Sequence, residues 1–190
     1  MSVLATTQVD GEYLPEDVLI SFLRQLINAG GDTTFRTTSV LFAGLLTNPE
    51  QLAAVRADRS LISSAVEEAL RWDGPVLCSN RETTQEVVVD GVRIPAGAFL
   101  DVVYGSANHD PHVFENPEHF DIFQPKHRHF GFAFGAHNCL GQQLARLEMS
   151  RALDAVLDEL PNVRLDPDAD PPQLRGMAMR TPRELRVIFG

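Results

Sequence analysis

The residues best suited to chemistry lie in a glycine-punctuated stretch, 131–141, that contains Cys139. Cys139 offers one soft thiolate ligand, and His137 lies two positions before it as a cation or a hydrogen-bond donor. The small residues of the stretch would let a flat group lie close to the backbone. Because a helix pattern begins directly after the cysteine, this junction suits one axial ligand of haem iron.

Two other interpretations of the stretch stay open on the residues alone. A zinc site could use His127, His129 and His137, but their spacing does not form the paired ligands that close a tetrahedral site. Cys139 could instead act as an acyl-transfer nucleophile, since a helix N-terminus favours a thiolate. No Ser/His/Asp-type ordering accompanies it, and the flanking phenylalanines indicate a wall against a large flat ligand. The other cysteine, Cys78, is predicted to be a small core or pocket-lining residue.

The composition is that of a globular domain with a sizeable core. Of the 190 residues, 44% are hydrophobic and 22% are charged. The net charge of -10 argues against a nucleic-acid partner, because phosphate binding needs a basic surface. The sequence shows neither an apolar run of membrane-spanning length nor a signal pattern, so we expect a cytoplasmic protein without membrane contact. Two cysteines without a secretory context favour a reducing compartment.

Helix signals dominate the first third of the chain, after an irregular stretch with a turn at 9–12. Pro15, followed by two acidic residues, opens a helix. Its apolar residues recur at helical spacing and are predicted to face the core: Leu19, Phe22, Leu23, Leu26 and Ile27. Residues 29–34 interrupt this pattern, which then resumes as far as Asn48. The residues allow either a break between two helices or one long helix weakened for the close approach of another group.

The remaining pattern predicts further helices and a strand-rich centre. Short helices are expected at 49–56 and 60–72, and the second contains Glu68 and Arg71, whose spacing alone favours a solvated surface pair. A hairpin is predicted at 87–94, a strand at 99–103 and a loop-rich stretch at 105–123. A helix should follow Cys139 as far as Pro161, with a weak strand at 185–189.

Four motifs, taken in their order along the chain, resemble those of the cytochrome P450 family, and in detail those of its soluble bacterial members. The family's haem-binding loop has the pattern Phe-Gly-x-Gly-x-His/Arg-x-Cys-x-Gly. The positions that match it are Phe132, Gly135, His137, Cys139 and Gly141. Ala133 stands where the family usually has glycine, and its methyl group is expected to crowd the loop slightly. By this resemblance, Cys139 binds the iron of haem b.

The segment 29–34 resembles the family's oxygen-activation segment in its long distal helix. This resemblance favours one long helix over a break. Ala29 and Gly30 would leave space for dioxygen above the haem, and Asp32 and Thr33 would supply protons during oxygen activation. These four residues are therefore the distal side of the predicted site.

Two further matches concern the edge and the proximal side of the haem. Glu68 and Arg71 are similar to the family's Glu-x-x-Arg pair, a structural lock. In many relatives an arginine completes this pair, and the resemblance implies that the side chain of His119 replaces it here. Arg81 matches an arginine that binds one haem propionate, and His137 would bind the other.

The resemblance implies a mainly α fold with small β-sheets (α+β). It covers residues 1–190 as one partial domain, the C-terminal part of the P450 fold, with the N-terminal helices absent. The implied function is haem-thiolate monooxygenation, which inserts one oxygen atom from O2 into an organic, lipophilic substrate. Candidate substrate contacts are Val76, Leu77 and the turn 176–179.

The resemblance also implies a ferredoxin or flavodoxin-like electron donor. A cationic docking patch for it could consist of Lys126, His127, Arg128 and Arg146, and ordinary solvated charge is the alternative. A second hypothesis is a truncated or split fragment that cannot retain haem or turn over without the missing N-terminal half. Exposure of Leu19, Phe22 and Leu26 in the folded chain would favour that fragment hypothesis.

Overall fold

Helices carry most of the regular structure in residues 2–125, 127–176 and 179–190, which this computed structural model describes. The helices are α1 (Ser2–Thr6), α2 (Glu16–Thr47), α3 (Pro49–Ala57), α4 (Ile62–Asp73), α5 (Tyr104–Ala107) and α6 (Gln142–Glu159). The strands are β1 (Gln8–Val9), β2 (Glu12–Tyr13), β3 (Cys78–Glu82), β4 (Val87–Val89), β5 (Val92–Ile94), β6 (Phe99–Val103), β7 (Arg164–Leu165), β8 (Leu174–Arg175), β9 (Thr181–Pro182) and β10 (Val187–Ile188). Single 3-10 turns lie at Arg59–Leu61 and Gly135–His137.

The strands form small antiparallel pairs rather than one sheet, which confirms the predicted fold class. The pairs are β1–β2, β3–β6, β4–β5, β7–β10 and β8–β9. The predicted hairpin at 87–94 is present, and Asp90 and Gly91 form its turn with φ of 47° and 78°. Positive φ at both central residues is the type I′ geometry that Asp-Gly favours.

The long helix α2 is continuous over 32 residues, so the interruption at 29–34 does not break it. Its second half lies in the core against α4 and α6. Val40 and Leu41 of α2, Leu70 of α4 and Leu153 of α6 are almost completely buried. Full burial of each such side chain contributes roughly 1.5–3 kcal/mol, so this contact positions the three helices relative to one another.

The first half of α2 departs from the prediction that its apolar stripe faces the core. Phe22 is 40% exposed, Leu26 47% and Ile27 71%, while Leu19 and Leu23 are half-buried. Helical periodicity identifies an apolar face but does not say that the same chain covers it. The exposed stripe is the observation that favours the fragment hypothesis.

Several shorter elements match the expected pattern. The helix expected at 49–56 is α3, and the helix expected at 60–72 is α4 preceded by a 3-10 turn. The N-terminal stretch is less irregular than predicted, because α1 and the β1–β2 hairpin occupy it, with its turn at Asp10 and Gly11. Across the part of the chain that the structure describes, no helix is both long and apolar enough to cross a membrane.

Candidate functional site

Glu68 and Arg71 form a buried ion pair on α4, so the solvated surface pair favoured by their local spacing is wrong. The two side chains are only 6% and 3% exposed. Arg71 Nε donates to Glu68 Oε2 at 2.8 Å, and Nη2 donates to Oε1 at 2.7 Å. This bidentate geometry is the strongest form of a charge-assisted hydrogen bond.

The remaining donors of Arg71 hold a distant loop. Nη1 donates to the carbonyls of Asn108 at 3.0 Å and Pro117 at 2.8 Å, and Nη2 donates to the carbonyl of His119 at 2.9 Å. All five N–H groups of the guanidinium therefore have acceptors. His119 takes part through its main chain while its side chain is exposed, which corrects the expectation that its imidazole replaces an arginine.

Other buried polar groups fasten the same loop to the helices. The amide of Gln51 donates to the carbonyl of Phe120 at 2.8 Å and accepts from the N–H of Ile122 at 3.0 Å. Trp72 donates through its indole nitrogen to the carbonyl of Glu118 at 2.8 Å. The irregular stretch that precedes the cysteine loop is thus fixed through its backbone, because buried carbonyls and N–H groups require partners.

The cysteine loop itself is held by short-range backbone hydrogen bonds. The N–H of Cys139 donates to the carbonyl of Phe132 at 3.0 Å, and that of Asn138 donates to Gly135 at 3.0 Å. The helix α6 begins three residues after Cys139, with Gly141 as its N-cap. The loop therefore places Cys139 immediately before a helix N-terminus, as the sequence predicts.

The surface around Cys139 is apolar and open. Cys139 is exposed, and so are Phe134 at 57%, Leu140 at 84% and Leu144 at 60%. Exposed apolar side chains beside a thiol fit a site that a flat apolar ligand covers. No three His, Cys, Asp or Glu side chains in the described ranges lie close enough to hold a metal together, so Cys139 stands as a single candidate ligand.

Two loop positions adopt left-handed backbone conformations. Gly135 has φ of 73°, which costs glycine little. Ala133 has φ of 58°, and an L-residue pays roughly 1–2 kcal/mol for that conformation. Alanine in place of glycine at this position therefore carries a cost in backbone conformation. The sequence alone predicts a steric effect of the methyl group instead.

The loop begins with a close approach to α4 at Gly131. A Cβ there would lie 2.8 Å from the carbonyl oxygen of Leu70 and 3.1 Å from His129 Nδ1. A larger residue would push the loop away from the helix. Gly131 is therefore required by packing, independently of its φ.

One further carboxylate, Glu67, joins α4 to both ends of the cysteine loop. Arg146 of α6 binds it through Nε at 2.6 Å and Nη2 at 3.0 Å, and His129 binds it through Nε2 at 3.0 Å. Burial raises the pKa of Glu67, but the hydrogen bonds from His129 and Arg146, together with the charge of Arg146, outweigh it and lower the pKa to about 2. Glu67 is therefore ionised throughout the neutral range.

The predicted distal residues lie along α2. The Thr33 hydroxyl donates to the carbonyl of Ala29 at 2.7 Å, and Asp32 pairs with Arg36 at 2.8 Å. A Cβ at Gly30 would meet nothing within 4 Å, so this side of the helix is open in the chain. An open side at Gly30 is compatible with a bound group, and the roles of these residues stay predictions.

The predicted propionate residues occupy different elements. Arg81 lies on β3, where its guanidinium donates to Ser79 Oγ at 3.0 Å, to the Asn80 carbonyl at 2.7 Å and to Tyr104 Oη at 3.3 Å. His137 lies exposed in the 3-10 turn of the cysteine loop. Both side chains are accessible to a ligand, and both assignments stay predictions.

The residues of the predicted docking patch differ in their exposure and in whether an ion pair neutralises them. Arg146 is neutralised by Glu67 and stacks 4.5 Å above the Phe132 ring, which weakens its candidacy. Arg128 stacks 4.5 Å above Phe134 and is exposed. The exposed His127 also remains a candidate, whereas Lys126 lies outside the described residues.

The predicted substrate contacts are described only in part. Val76 forms a β-bridge with Met179, and the carbonyl of Pro75 accepts from the N–H of Arg180 at 3.3 Å. These bonds bring Met179 and Arg180 against the segment that contains Pro75 and Val76. The central residues 177–178 of that turn lie outside the described ranges.

A loop-borne thiol at the start of a helix, a buried Glu-x-x-Arg lock and a long helix with small residues are the features that the resemblance to cytochrome P450 predicts in this chain. The family model for cytochrome P450 matches residues 2–189. The chain belongs to the cytochrome P450 family, as the sequence motifs predict.

Curated relatives agree with this assignment. Cytochrome P450-terp of a Pseudomonas species is 40% identical over 174 residues, which is 92% of this chain and 40% of the relative. Vitamin D3 dihydroxylase of Streptomyces griseolus is 39% identical over 191 residues, which is 100% of this chain and 47% of the relative.

Solved structures show the same relationship. A post-tailoring hydroxylase involved in himastatin biosynthesis superposes with a TM-score of 0.90 at 38% identity, over 98% of this chain and 50% of that chain. A structure from work on unusual cytochrome P450-like monooxygenases of microbial secondary metabolism gives a TM-score of 0.93 at 36% identity, over 100% of this chain and 51% of that chain. The chain thus spans about half the length, or somewhat less, of the relatives it matches.

Sequence reasoning missed the pair Glu67 and His129. The available signal was the second carboxylate beside Glu68 on a helix that is otherwise apolar on its inner face. Neighbouring residues on a helix point about 100° apart, so two adjacent acids can hold two different segments. Here Glu68 holds Arg71, and Glu67 holds the cysteine loop.

Proposed function

We propose that the protein supplies the haem-thiolate site of a cytochrome P450 monooxygenase. The proposed reaction inserts one oxygen atom from O2 into an organic, lipophilic substrate, with electrons from a ferredoxin or flavodoxin-like donor. The observation that carries the proposal is the placement of Cys139, exposed on a hydrogen-bonded loop directly before α6. Membership of the family supports the same reaction class.

The residues of this chain have distinct proposed tasks. When bound, thiolate-ligated haem supplies O–O bond cleavage and oxygen transfer. Cys139 holds the iron, and the helix N-terminus that follows it tempers the charge of the thiolate. Arg81 and His137 neutralise the two propionates through charge-assisted hydrogen bonds. Thr33 and Asp32 hold and pass protons on the distal side.

Apolar contacts orient the substrate in this proposal. Val76 lies next to Met179, and neither Val76 nor the adjacent Leu77 carries a polar side chain. The proposed reaction takes place in the cytoplasm, where a soluble bacterial member of the family would meet its electron donor. The exposed guanidinium of Arg128 and the exposed imidazole of His127 would meet an acidic donor surface.

Haem uptake by the purified chain tests the proposal. Titration of haem into the wild-type chain should give saturable binding with a ratio of one. The Cys139→Ser variant should lose most of the affinity, because it removes the iron ligand. The matched control is Cys78→Ser, which changes the half-buried second cysteine and should bind as the wild type does. Equal affinity in all three proteins would overturn the assignment of Cys139.

A second candidate function is a non-catalytic part that needs a complementary half for activity. The exposed stripe at Phe22, Leu26 and Ile27 favours it, because such a face normally has a partner. A groove of about 170 Å³ supports the same proposal, because almost all of its lining is apolar, with Phe42, Leu160 and Val187 among its residues. The chain also spans only about half of its relatives.

Co-expression distinguishes the two candidates. The partner would be a separate polypeptide that corresponds to the region the relatives have and this chain does not cover. Joint purification, with haem retained by the pair and lost by the single chain, would establish the second candidate. Haem retention and substrate oxidation by the single chain would overturn it.

A further inference from the structure

We propose that Glu67 is a positioning residue for the cysteine loop: its one carboxylate holds both ends of the loop and so presets the conformation that presents Cys139. Glu67 lies on α4, outside the loop, and its hydrogen-bond partners differ from those of the Glu68–Arg71 lock. The inference goes beyond haem binding, because it assigns a task to a residue that touches neither the ligand loop's thiol nor the predicted distal residues.

The N-terminal end of the loop is held through His129. Its Nε2 lies 3.0 Å from Glu67 Oε2, and its Nδ1 accepts the N–H of Gly131 at 3.1 Å. The bond accepted at Nδ1 assigns the ring proton to Nε2, which then donates to the carboxylate. The imidazole is 9% exposed, so little water competes for these bonds.

The C-terminal end is held through Arg146 on the second turn of α6. Its guanidinium grips both oxygens of Glu67, at 2.6 and 3.0 Å, and its remaining amino group donates to Gln142 Oε1 at 3.0 Å. The same guanidinium lies 4.5 Å above the ring of Phe132. The ring contact matters because the carbonyl of Phe132 accepts the N–H of Cys139.

These contacts close a loop whose own side chains are largely exposed. Residues 134–141 have few buried contacts of their own, so their order depends on how the two ends are held. Fixing both ends of a loop removes most of the conformational freedom that it would otherwise have. The carboxylate is ionised at neutral pH because its pKa is lowered to about 2, so the clamp is charged under working conditions.

Hydrogen exchange of the chain without haem tests the proposal. In Glu67→Gln, the amides of the loop, Cys139 included, should exchange about tenfold faster than in the wild type, because a bidentate charged contact is lost. Amides of another peripheral element that opens locally, the β4–β5 hairpin, should keep their rates. The matched control is Glu86→Gln, which breaks an exposed 2.8 Å pair with Arg93 and should leave the loop unchanged.

A second variant tests the route through Arg146. Arg146→Lys keeps the positive charge but loses the two-pronged contact and the ring contact. It should accelerate amide exchange in the loop by itself. Glu67→Gln should then accelerate exchange less in the Arg146→Lys background than in the wild type, because the two changes break the same clamp.

Three results would overturn the proposal. They are unchanged loop rates in Glu67→Gln, equal acceleration in the β4–β5 hairpin and the loop, and fully additive effects of the two substitutions. Because the measurement contains no haem, its failure and the failure of the proposed function can be told apart.

Discussion

Arg71 and Glu68 form a buried bidentate ion pair, in which Nε and Nη2 of Arg71 lie 2.8 and 2.7 Å from the two carboxylate oxygens of Glu68. The same guanidinium also holds three backbone carbonyls of a segment that follows much later in the chain. A single buried side chain thus connects α4 to the irregular segment that leads to the cysteine loop. This dependence makes the lock a sensitive point of the fold.

Arg71→Lys should destabilise the protein by about 3–5 kcal/mol, because a lysine cannot supply five donors and leaves buried acceptors unpaired. Denaturant unfolding followed by circular dichroism measures the loss. Arg93→Lys is the control, since Arg93 is 73% exposed in its pair with Glu86 and should change stability by less than about 0.5 kcal/mol. Equal losses in both variants would contradict the role of the lock.

Gly44→Ala should destabilise the fold by about 1–3 kcal/mol, because a Cβ at this position would lie 2.5 Å from the Phe120 ring. Gly31→Ala in the same helix meets nothing within 4 Å and should stabilise by about 0.5–1 kcal/mol through helix propensity. Thermal and denaturant unfolding compare the two. Changes of the same sign would show that Gly44 and Phe120 are not packed as described.

Ala133→Gly should stabilise the cysteine loop by about 0.5–1 kcal/mol. Relief of the left-handed conformation at φ of 58° is partly offset by the greater freedom of glycine in the unfolded chain. Gly135→Ala reverses the chemistry at φ of 73° and should cost about 1–2 kcal/mol. Unfolding curves of both variants check the opposite signs, and a loss of stability in Ala133→Gly would refute the account.

Acid should weaken the fold through Glu67. Its pKa is about 2 in the folded chain and 4.5 for a free side chain, so its stabilisation is complete above pH 4.5 and is lost as the pH falls toward 2. Because the side chain is 38% exposed, screening reduces the contribution to about 1–2 kcal/mol. Glu67→Gln should therefore lose less stability between pH 6 and pH 3 than the wild type, by somewhat more than half of that amount.

Asp73 changes the free energy of unfolding with pH in the opposite direction, so its effect has to be separated from that of Glu67. Burial raises its pKa, and the charge and hydrogen bond of Arg180 oppose that rise. Its contribution to the stability of the fold falls as the pH rises above 3.8, because the carboxyl ionises in the unfolded chain at a lower pH than in the folded chain. Comparing Glu67→Gln with the wild type cancels Asp73, because both proteins contain it. An identical acid profile in the two proteins would contradict the assignment of Glu67.

The sequence was sufficient to predict features that depend on local patterns. Pro15 marks the start of α2, Asp90 and Gly91 mark a hairpin turn, and the spacing around Cys139 marks the loop before α6. Each of these depends on the backbone preferences of a few neighbouring residues. The family resemblance added the expectation that α2 continues through 29–34, which local helix propensity could not decide.

Features that depend on distant contacts were predicted less well. The spacing of Glu68 and Arg71 is the same for a surface pair and for a buried lock, and only the carbonyls of Asn108, Pro117 and His119 distinguish them. The role of Glu67 was missed for the same reason, since His129 and Arg146 reach it from distant parts of the chain. The exposed stripe around Phe22 was mispredicted because periodicity does not reveal whether a partner surface exists.

The most direct test of the central claim is the absorption spectrum of the haem-loaded protein, reduced under carbon monoxide. The account predicts a Soret band at the position of thiolate-ligated haem in the wild type and in Cys78→Ser, and loss of that band in Cys139→Ser. If the chain alone retains too little haem, the measurement is made on the complex with its complementary half. A thiolate-type band that persists in Cys139→Ser would contradict the account.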